Sequence, residues 1–509
     1  MILDTSTVDG DVKITAEVCV IGSGAGGSVV AAALAQAGRS VVVVEQGSYQ
    51  TGRDFTQREE EMYPRLYQGD EAQVASDAAV LVCQGRTVGG STVTSFCVCA
   101  RPPRRILDNW QNKLGLPGAG ADAMTPHYQR VEQAIQVREV AAAQVNKNNQ
   151  VVEAGAGRLG FHTTRLAHNL VNCLGCGYCA LGCAYDRKAD ALTIQLRQAS
   201  QHGAVIVPDC RVEQVTTAGS RVSGVTGTFR RAGAAPATLS VRAKVVVLAA
   251  GAIASPQIWL RSRLPNTNRQ VGRNLHLHPQ VLVAGIFDEE IAGWRGIPQS
   301  VVVDQFLGES NATEGGFLLS PMFAHPVAMA ALLPGFGADY RRLLDLYPRI
   351  GLAAVMLHDR SSGSVEVDGS GRASVNYALG DDDRATLVDG IHRLADVYFA
   401  AGAERVVLPF NDLVELTRRG DYRGLEEHSI RANDPILLSL HPQGSMRMGS
   451  NPQRSVVNGT GEAHSVRGLF VADASVFPSA VAVPPQLSVM AFADRTAQYI
   501  EDNRGAYFG

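Results

Sequence analysis

The stretch that most constrains the fold is residues 18–47, which read VCVIGSGAGGSVVAAALAQAGRSVVVVEQG. The short apolar run Val18–Ile21 predicts a buried strand, and the Ala-rich segment after it predicts a helix that ends at Gly38. A second apolar run, residues 40–44, predicts another strand with Glu45 at its end. Strand, helix and strand in this order predict the first βαβ unit of a nucleotide-binding sheet.

Three glycines connect the first strand to the helix in the pattern G-x-G-x-x-G. Gly22 permits a tight turn, Gly24 lets the backbone approach a pyrophosphate, and Gly27 lets the helix pack closely on the strand. The helix N-terminus then offers unpaired N–H groups and a partial positive charge to phosphates. Glu45 follows Gly27 by 18 residues, close to the spacing at which a carboxylate holds ribose hydroxyls. The pattern predicts dinucleotide binding, and at this point FAD and NAD both remain open.

The bulk composition excludes several classes of protein. A chain of 509 residues predicts two or three domains, and 45% apolar with 19% charged residues is typical of a soluble globular protein. A net charge of -3 without any Lys/Arg run argues against nucleic-acid binding. No run approaches the roughly 18 apolar residues of an integral membrane segment. The acidic N-terminus lacks a secretory pattern, and nine clustered cysteines do not fit a secreted disulfide framework, so we expect a cytoplasmic protein.

The pattern of strands and helices changes along the chain. Residues 120–200 are interpreted as mostly helical, and from Gly203 short alternating strands predict a β-meander whose first strand is the run AVIVPD at 204–209. The meander is expected to return to the nucleotide-binding sheet at residues 244–250. Near the end of the chain, LFVADASVF predicts a buried strand that ends at Asp473, followed by a helix.

These elements predict an α/β fold with two domains. A Rossmann-like nucleotide-binding domain is expected to be assembled from the discontinuous segments 1–105, 200–280 and 440–509. The second domain, expected to bind the substrate, is predicted from 106–199 and 281–439 and mixes helices with strands. Neither domain is continuous in the sequence.

Several motifs along the chain together resemble one known family. They are VIGSGAGG at 20, GRTVGGSTV at 85, CGYCALGC at 176, GAIASPQIWLRS at 251, GRNLHLHP at 272, HPQGSMRMG at 441 and LFVADASVFP at 469. In this order they resemble the glucose–methanol–choline (GMC) flavoprotein oxidoreductases, and most of all the long-chain alcohol oxidase group. The resemblance implies FAD rather than NAD, an α+β substrate domain built on an antiparallel sheet, and hydride transfer from an alcohol carbon to flavin N5.

The resemblance also implies roles for individual residues. The ADP half of FAD is expected at Gly22, Gly24, Gly27 and Glu45, and the flavin side at Gly89, Gly90 and Ser91. Asp473 is expected to reach the ribityl or pyrophosphate region. The end of a parallel strand is where an open α/β sheet meets its ligand, although an Asp there also fits a plain helix cap.

His441 is the predicted catalytic base, because it stands where this family keeps its active-site histidine. The hydroxyl of an alcohol has a pKa near that of water, about 15.7, against roughly 6.5 for imidazole. Complete proton transfer in advance would therefore cost roughly 12 kcal/mol. The base helps only if the proton leaves with the hydride or if a second donor stabilises the alkoxide.

The chain departs from the family where that second donor is expected. Pro484 stands in place of the family's Asn or His, and proline has neither a side-chain donor nor an N–H. Gln486 or Gln443 could supply the missing hydrogen bond, and Gln486 is our second predicted catalytic residue. Ser95 likewise replaces the Asn that the family usually has near the flavin.

These departures leave three functions open. The first is oxidation of a hydrophobic alcohol, long-chain or terpenoid/steroid-like, with oxygen or another acceptor taking up the electrons. The second is a lyase or isomerase of the same fold that retains FAD. The third is a flavin-binding protein without catalysis.

Four cysteines form a separate block, Cys173, Cys176, Cys179 and Cys183, in the spacing C-x2-C-x2-C-x3-C. This is the spacing of a bacterial ferredoxin run, but Ala184 replaces the proline that ends such a run. An iron–sulfur cluster and a zinc site are the alternatives to four reduced structural thiols, which the sequence favours, so no metal ligands are predicted. His276 and His278 are likewise interpreted as structural. The apolar stretch Val327–Phe336 is either core or the lining of a lipophilic channel.

Overall fold

The computed structural model describes residues 1–3, 5–69, 73–230, 237–307, 315–426 and 430–509. The remaining short segments fall inside the predicted domain segments 1–105, 200–280 and 281–439, and those parts of the prediction lie outside the described residues.

The first sheet, called here the parallel sheet, contains the βαβ unit predicted from the glycine pattern. Five of its strands run parallel, in the spatial order Val205–Val207, Val41–Val44, Val12–Ile21, Thr238–Leu248 and Leu469–Val471. The hairpin of Cys210–Ala218 and Arg221–Phe229 extends the sheet through antiparallel pairing with the first half of Thr238–Leu248. Strands buried on both faces read as continuous apolar runs, which explains the four consecutive valines of Val41–Val44.

The predicted meander is confirmed for three strands and wrong for the run at 204–209. Cys210–Ala218, Arg221–Phe229 and Thr238–Leu248 are joined in antiparallel order, as expected. Val205–Val207, however, pairs in parallel with Val41–Val44 at the far side of the sheet. An apolar run of this length identifies a strand but not its partner, because periodicity carries no information about pairing.

Helices cover the parallel sheet on the sides that position the cavity described below. Ala25–Gln36 follows the first strand and packs against Gln486–Asp502, the apolar helix predicted near the end of the chain. Gly251–Arg261 follows Thr238–Leu248 and approaches the segment after Leu469–Val471. The other helices, with the π-helical turn Ala191–Gln195, are Glu59–Leu66, Ser91–Thr94, Arg104–Asn112, Ala121–Ala134, Lys147–Arg158, Leu196–Gln201, Pro326–Leu332, Gly337–Asp345, Asp381–Ala401, Arg423–Glu426 and Arg504–Tyr507.

The second sheet, called here the antiparallel sheet, confirms the expected architecture of the substrate side. Its main path runs Glu415–Leu416, Arg405–Val407, Gln280–Ile286, Ile350–Leu357, Phe317–Pro321, Val301–Val303 and Thr163–Arg165. Leu437–Ser439 pairs with the start of Gln280–Ile286 and, in parallel, with Val80–Val82. The long helix Asp381–Ala401 packs on one face of this sheet together with Lys147–Arg158. Short strands elsewhere are Arg138–Glu139, Ala167–His168, Arg273–Leu275, Gly363–Val367 and Ala373–Asn376.

Each sheet has its own buried core. One cluster of buried side chains surrounds the parallel sheet, and a second fills the space between the antiparallel sheet and Asp381–Ala401. The strand Val80–Val82 belongs to the antiparallel sheet, whereas Gly90, a few residues later, lies against Gly24 beside the parallel sheet. The molecule is therefore an α/β fold of two sheet layers, with the cavity between them.

Candidate active site

A cavity of about 1160 Å³ extends from the glycine-rich turn of the parallel sheet to the helix Pro326–Leu332 beyond the antiparallel sheet. It brings together most of the residues predicted from the sequence. The predicted site residues that line it are Gly22, Gly24, Glu45, Gly90, Ser91, His441, Asp473 and Gln486. Gly27 and Gly89 do not line it and act in packing.

The backbone of Gly22, Gly24 and Gly90, called here the glycine cradle, forms the inner end of the cavity. Gly22 has φ +96°, the left-handed region that a tight turn here requires, and Gly24 precedes the first residue of the helix Ala25–Gln36. A Cβ on Gly24 would lie 3.8 Å from the Cα of Gly90, so the two backbones face each other closely. The cradle therefore presents main-chain atoms and a helix N-terminus, as a bound pyrophosphate requires.

Two glycines beside the cradle set the packing of the helix. A Cβ on Gly27 would lie 2.0 Å from the carbonyl oxygen of Gly22, which confirms the predicted close packing of helix on strand. A Cβ on Gly26 would lie 1.7 Å from the carbonyl oxygen of Ala472. Sequence reasoning missed this second contact, although the extra glycine in GAGG was a signal for it.

Glu45 lies on the wall of the cavity with its carboxylate already hydrogen-bonded. Oε2 accepts from the N–H of Ser23 at 3.0 Å and from its hydroxyl at 2.7 Å, and Oε1 accepts from the N–H of Gly47 at 2.8 Å. Burial raises the pKa of the Glu45 carboxyl, and these hydrogen bonds oppose that rise. The carboxylate is thus held in one orientation at the end of the second strand.

Asp473 is held in the same way at the end of Leu469–Val471. Its Oδ2 accepts from the N–H of Gly251 at 2.8 Å and the hydroxyl of Ser255 at 2.5 Å, and its Oδ1 accepts from the N–H and hydroxyl of Ser475. Burial raises the pKa of this carboxyl. Asp473 caps the short helix Ala474–Val476, which confirms the helix-cap interpretation, and it also lines the cavity, while its contact with the cofactor stays a prediction.

His441 enters the cavity just after the strand Leu437–Ser439. Its Nδ1 is buried and has no hydrogen-bond partner among the described residues. Burial lowers the pKa of the His441 imidazole to about 4, because the charged form loses its hydration. The ring is therefore neutral at pH 7 and can accept a proton.

The two glutamines proposed to replace the missing donor differ sharply. Gln443 is fully buried away from the cavity, its Oε1 accepting from the N–H of Val481 at 3.1 Å and its Nε2 donating to the carbonyl of His441 at 3.2 Å. Gln486, at the start of Gln486–Asp502, lines the cavity, and its Nε2 has no partner within the described part of the chain. Pro484 lines the same wall. Of the two glutamines, Gln486 is the one that lines the cavity and whose amide nitrogen has no partner among the described residues.

Ser95, which replaces the family's usual Asn, also lines the cavity. Its hydroxyl donates to the carbonyl of Thr92 at 3.1 Å and accepts from the N–H of Cys97 at 3.2 Å. The side chain thus holds a local turn at the cavity wall.

A buried histidine cluster lies behind His441. The ring of His278 is 5.6 Å from that of His441 and nearly perpendicular to it, and neither of its nitrogens has a partner among the described residues. Asp359 accepts from the N–H groups of Leu277 and His278, and lies 3.7 Å from Nδ1 of His276. These contacts give His276 and Asp359 a structural role in holding the loop beside His441.

The cysteine block forms a glycine-rich loop beside the cavity. The Sγ of Cys173 accepts from the N–H of Gly175 at 3.4 Å, and that of Cys183 accepts from the N–H of Arg187 at 3.2 Å. All four thiols are free, and the described residues contain no group of three or more His, Cys, Asp or Glu arranged to hold a metal ion.

Lys188 connects this loop to the cavity wall, and sequence reasoning missed it. Its buried Nζ donates to the carbonyls of Val93 at 2.6 Å, Ser95 at 2.8 Å and Cys179 at 2.6 Å. A single lysine in a loop gives no sequence signal that it will be buried against three carbonyl groups.

The apolar stretch Val327–Phe336 lies at the outer end of the cavity. Val327, Ala328, Ala331 and Leu332 line the cavity, whereas Phe336 is 94% exposed. Within the described ranges, none of the helices is both long and apolar enough to cross a membrane.

Comparisons with known proteins agree with this geometry. The family models of the GMC oxidoreductases match residues 20–280 and 359–493. An uncharacterised GMC-type oxidoreductase of Mycobacterium tuberculosis is 35% identical over 94% of this chain and 74% of its own length. A long-chain-alcohol oxidase of Arabidopsis thaliana, FAO3, is 30% identical over 95% of this chain and 67% of its own length.

Solved structures share the fold at lower identity. Pyridoxine 4-oxidase of Mesorbium loti superposes with a TM-score of 0.73 at 20% identity, covering 96% of this chain and 99% of that one. A formate oxidase variant of Aspergillus oryzae superposes with a TM-score of 0.75 at 17% identity, covering 97% and 99%.

Proposed function

This chain belongs to the GMC oxidoreductase family and is an FAD-dependent oxidoreductase, and we propose that it oxidises a hydrophobic alcohol, long-chain or terpenoid/steroid-like, to the carbonyl. The observation that carries the proposal is that one cavity is lined by both a neutral histidine, His441, and a glutamine with an unpartnered amide donor, Gln486. Oxygen or another acceptor would take up the electrons.

The residues present fit FAD. The glycine cradle leaves room for a pyrophosphate against main-chain atoms, and the cavity continues from there to His441. In the proposed arrangement Glu45 lies beside the ribose of the ADP half, Ser91 on the flavin side and Asp473 near the ribityl chain. Bound there, FAD would supply the hydride acceptor.

The proposed work of the chain itself is to remove the hydroxyl proton. His441 accepts it at Nε2, since Nδ1 is buried, and the low pKa of this ring requires the proton to leave as the C–H bond breaks. Gln486 Nε2 donates a hydrogen bond to the same oxygen and stabilises the charge that develops on it. Val327 and Leu332 at the outer end of the cavity contact the hydrocarbon part of the substrate in this arrangement.

An anaerobic reduction screen tests the proposal. Purified protein carrying FAD is mixed with long-chain, terpenoid and steroid alcohols, and the visible flavin absorbance is followed before and after admission of oxygen. We expect bleaching by at least one alcohol class. Turnover of an alcohol with unchanged flavin absorbance would instead favour the lyase or isomerase, which Pro484 motivates, and the absence of both bleaching and turnover would contradict the proposal.

A further inference from the structure

One polar side chain in the cavity has no part in the chemistry described so far. Gln280, the first residue of the strand Gln280–Ile286, is 3% exposed and lines the cavity. Its Nε2 has no hydrogen-bond partner among the residues that the structure describes. A buried amide donor without an acceptor costs free energy, so in a native protein such a donor is satisfied by a ligand, an ion or a bound water.

The side chains next to Gln280 on the sheet have no oxygen that could accept this hydrogen bond. On the neighbouring strands its register partners are Met356 and Leu438, and the next residue on the same face of its own strand is Leu282. All three side chains line the same cavity. The carboxamide is therefore bordered by three apolar side chains, whereas the other polar groups that this sheet contributes to the cavity, Thr164, Arg165 and Ser320, lie on strands further along it.

The register of the sheet sets an upper limit on the distance between Gln280 and His441. Leu438 lies opposite Gln280, at a Cα separation of about 5 Å for such a pair. His441 follows Leu438 by three residues, which span at most about 10 Å. The two Cα atoms are thus no more than about 15 Å apart, a distance that one extended ligand molecule covers.

We propose that Gln280 Nε2 donates a hydrogen bond to a second oxygen of the substrate, remote from the carbon that is oxidised. The inference rests on the proposed alcohol oxidation and narrows its substrate class to hydrophobic alcohols that carry a further ether, carbonyl or hydroxyl oxygen. A plain alkanol leaves the Gln280 donor unpaired, and a site built to hydrogen-bond a substrate group rejects analogues that lack it.

Paired substrates that differ by one acceptor oxygen test this directly. Alkan-1-ols and ω-methoxyalkan-1-ols of equal chain length are compared from about six to sixteen chain atoms in anaerobic flavin reduction. At the matching length we expect the methoxy alcohol to be favoured roughly 10-fold in kcat/KM by the native enzyme. In Gln280→Leu and Gln280→Met the ratio should fall to about 1, whereas Met356→Leu, which alters one of the apolar side chains beside Gln280, should keep it.

A binding measurement separates this inference from the proposed reaction. Tertiary alcohols have no hydrogen on the carbinol carbon, so 2-methylalkan-2-ols and their ω-methoxy derivatives bind without reacting, and calorimetry gives their Kd values. If no alcohol bleaches the flavin but the Kd ratio behaves as expected in the native protein and the two Gln280 variants, the reaction is wrong and the role of Gln280 stands.

Two results would overturn the role of Gln280. One is an equal preference in native protein and both variants at every chain length, in kcat/KM and in Kd. The other is a shifted flavin absorbance spectrum in both variants with the preference retained, which would assign the amide to the cofactor. Two substitutions of different shape are used so that one misfolded variant does not decide the outcome.

Discussion

The polar groups at the two ends of the cavity differ in whether the protein supplies their hydrogen-bond partners. At the nucleotide end the carboxylates of Glu45 and Asp473 are buried and hydrogen-bonded by backbone N–H groups and serine hydroxyls of the protein itself. At the other end, which is proposed to bind the substrate and is called here the substrate end, His441 Nδ1, Gln486 Nε2 and Gln280 Nε2 are buried without partners among the described residues. At the nucleotide end the protein itself supplies hydrogen-bond partners to both carboxylates. At the substrate end the three nitrogen atoms have no such partners in the described part of the chain.

This difference teaches which part of the site is set by the fold and which by individual side chains. The nucleotide end combines main-chain atoms with two fixed carboxylates at the ends of parallel strands, and its closest backbone approaches follow from glycine positions. The substrate end is made of side chains on one face of an antiparallel sheet and at one helix start. Substitutions at the first end should affect folding or cofactor retention, and those at the second should affect rate and preference.

The sharpest test of the substrate end is removal of the proposed base, His441. His441→Ala should lower the rate of flavin reduction by about 10²- to 10⁴-fold, the usual contribution of a general base, with the flavin content unchanged. Stopped-flow absorbance measures the rate, and His202→Ala, at an exposed position, is the matched control. A variant that retains the native rate would show that another group takes the proton.

At the nucleotide end, alanine substitutions of two neighbouring glycines should have different effects. Gly24→Ala places a Cβ at an ordinary 3.8 Å from Gly90, so the fold should persist while FAD binds roughly 10- to 100-fold more weakly, because the methyl group occupies the cradle. Gly27→Ala places one 2.0 Å from the carbonyl oxygen of Gly22 and should reduce thermal stability. Flavin titration and thermal unfolding distinguish the two, and the same defect in both variants would contradict the assignment.

Substitutions of Gln443 and Gln486 compare a structural role with a proposed catalytic role within one region. Gln486→Leu should slow flavin reduction by about 10- to 100-fold with little change in stability, because its donor meets only the ligand. Gln443→Leu should instead lower the free energy of unfolding by about 1–3 kcal/mol, because the buried N–H of Val481 loses its acceptor. The measurements are reduction rates and denaturant unfolding, and exchanged effects would overturn this division of roles.

The pH dependence of kcat/KM should reflect the lowered pKa of the proposed base, His441. Burial lowers the pKa of His441 to about 4, so the neutral, proton-accepting form predominates at any higher pH. The acid limb of kcat/KM should therefore lie near pH 4, and His441 should cause no loss of rate near the ordinary histidine value of about 6.5. Flavin-reduction kinetics across buffers from about pH 3.5 to 8 measure this, and an acid limb near 6.5 would place the ring in contact with bulk water.

The smallest effect is expected at the cysteine block. Cys173→Ser combined with Cys176→Ser should leave flavin reduction by an alcohol unchanged, since Cys173 contacts loop backbone, Cys176 contacts the Gln57 amide, and neither lines the cavity. Iron and acid-labile sulfide assays on the native protein should detect neither. Stoichiometric iron would identify a cluster, and with it an electron path away from the flavin.

Sequence reasoning was strongest where one physical cause dominates. The turn at Gly22, the packing at Gly27 and the strand–helix–strand order follow from local conformational limits, and the structure confirms them. The pairing of Val205–Val207 was wrong because an apolar run does not specify its neighbour. Gln280 and Lys188 were missed because their importance depends on partners distant in sequence, three carbonyl groups for the lysine and apolar side chains for the glutamine.

The short strand Val80–Val82 has a consequence for how this protein can be divided. It pairs within the antiparallel sheet, whereas the glycine-rich turn that begins three residues later returns to the nucleotide side, so the polypeptide crosses between the two layers within a few residues. Neither layer corresponds to a continuous stretch of coding sequence. A truncated variant that contains only one of the two layers would leave a sheet with an exposed edge. In libraries that recombine this protein with its relatives, the crossovers should be placed outside residues 80–92.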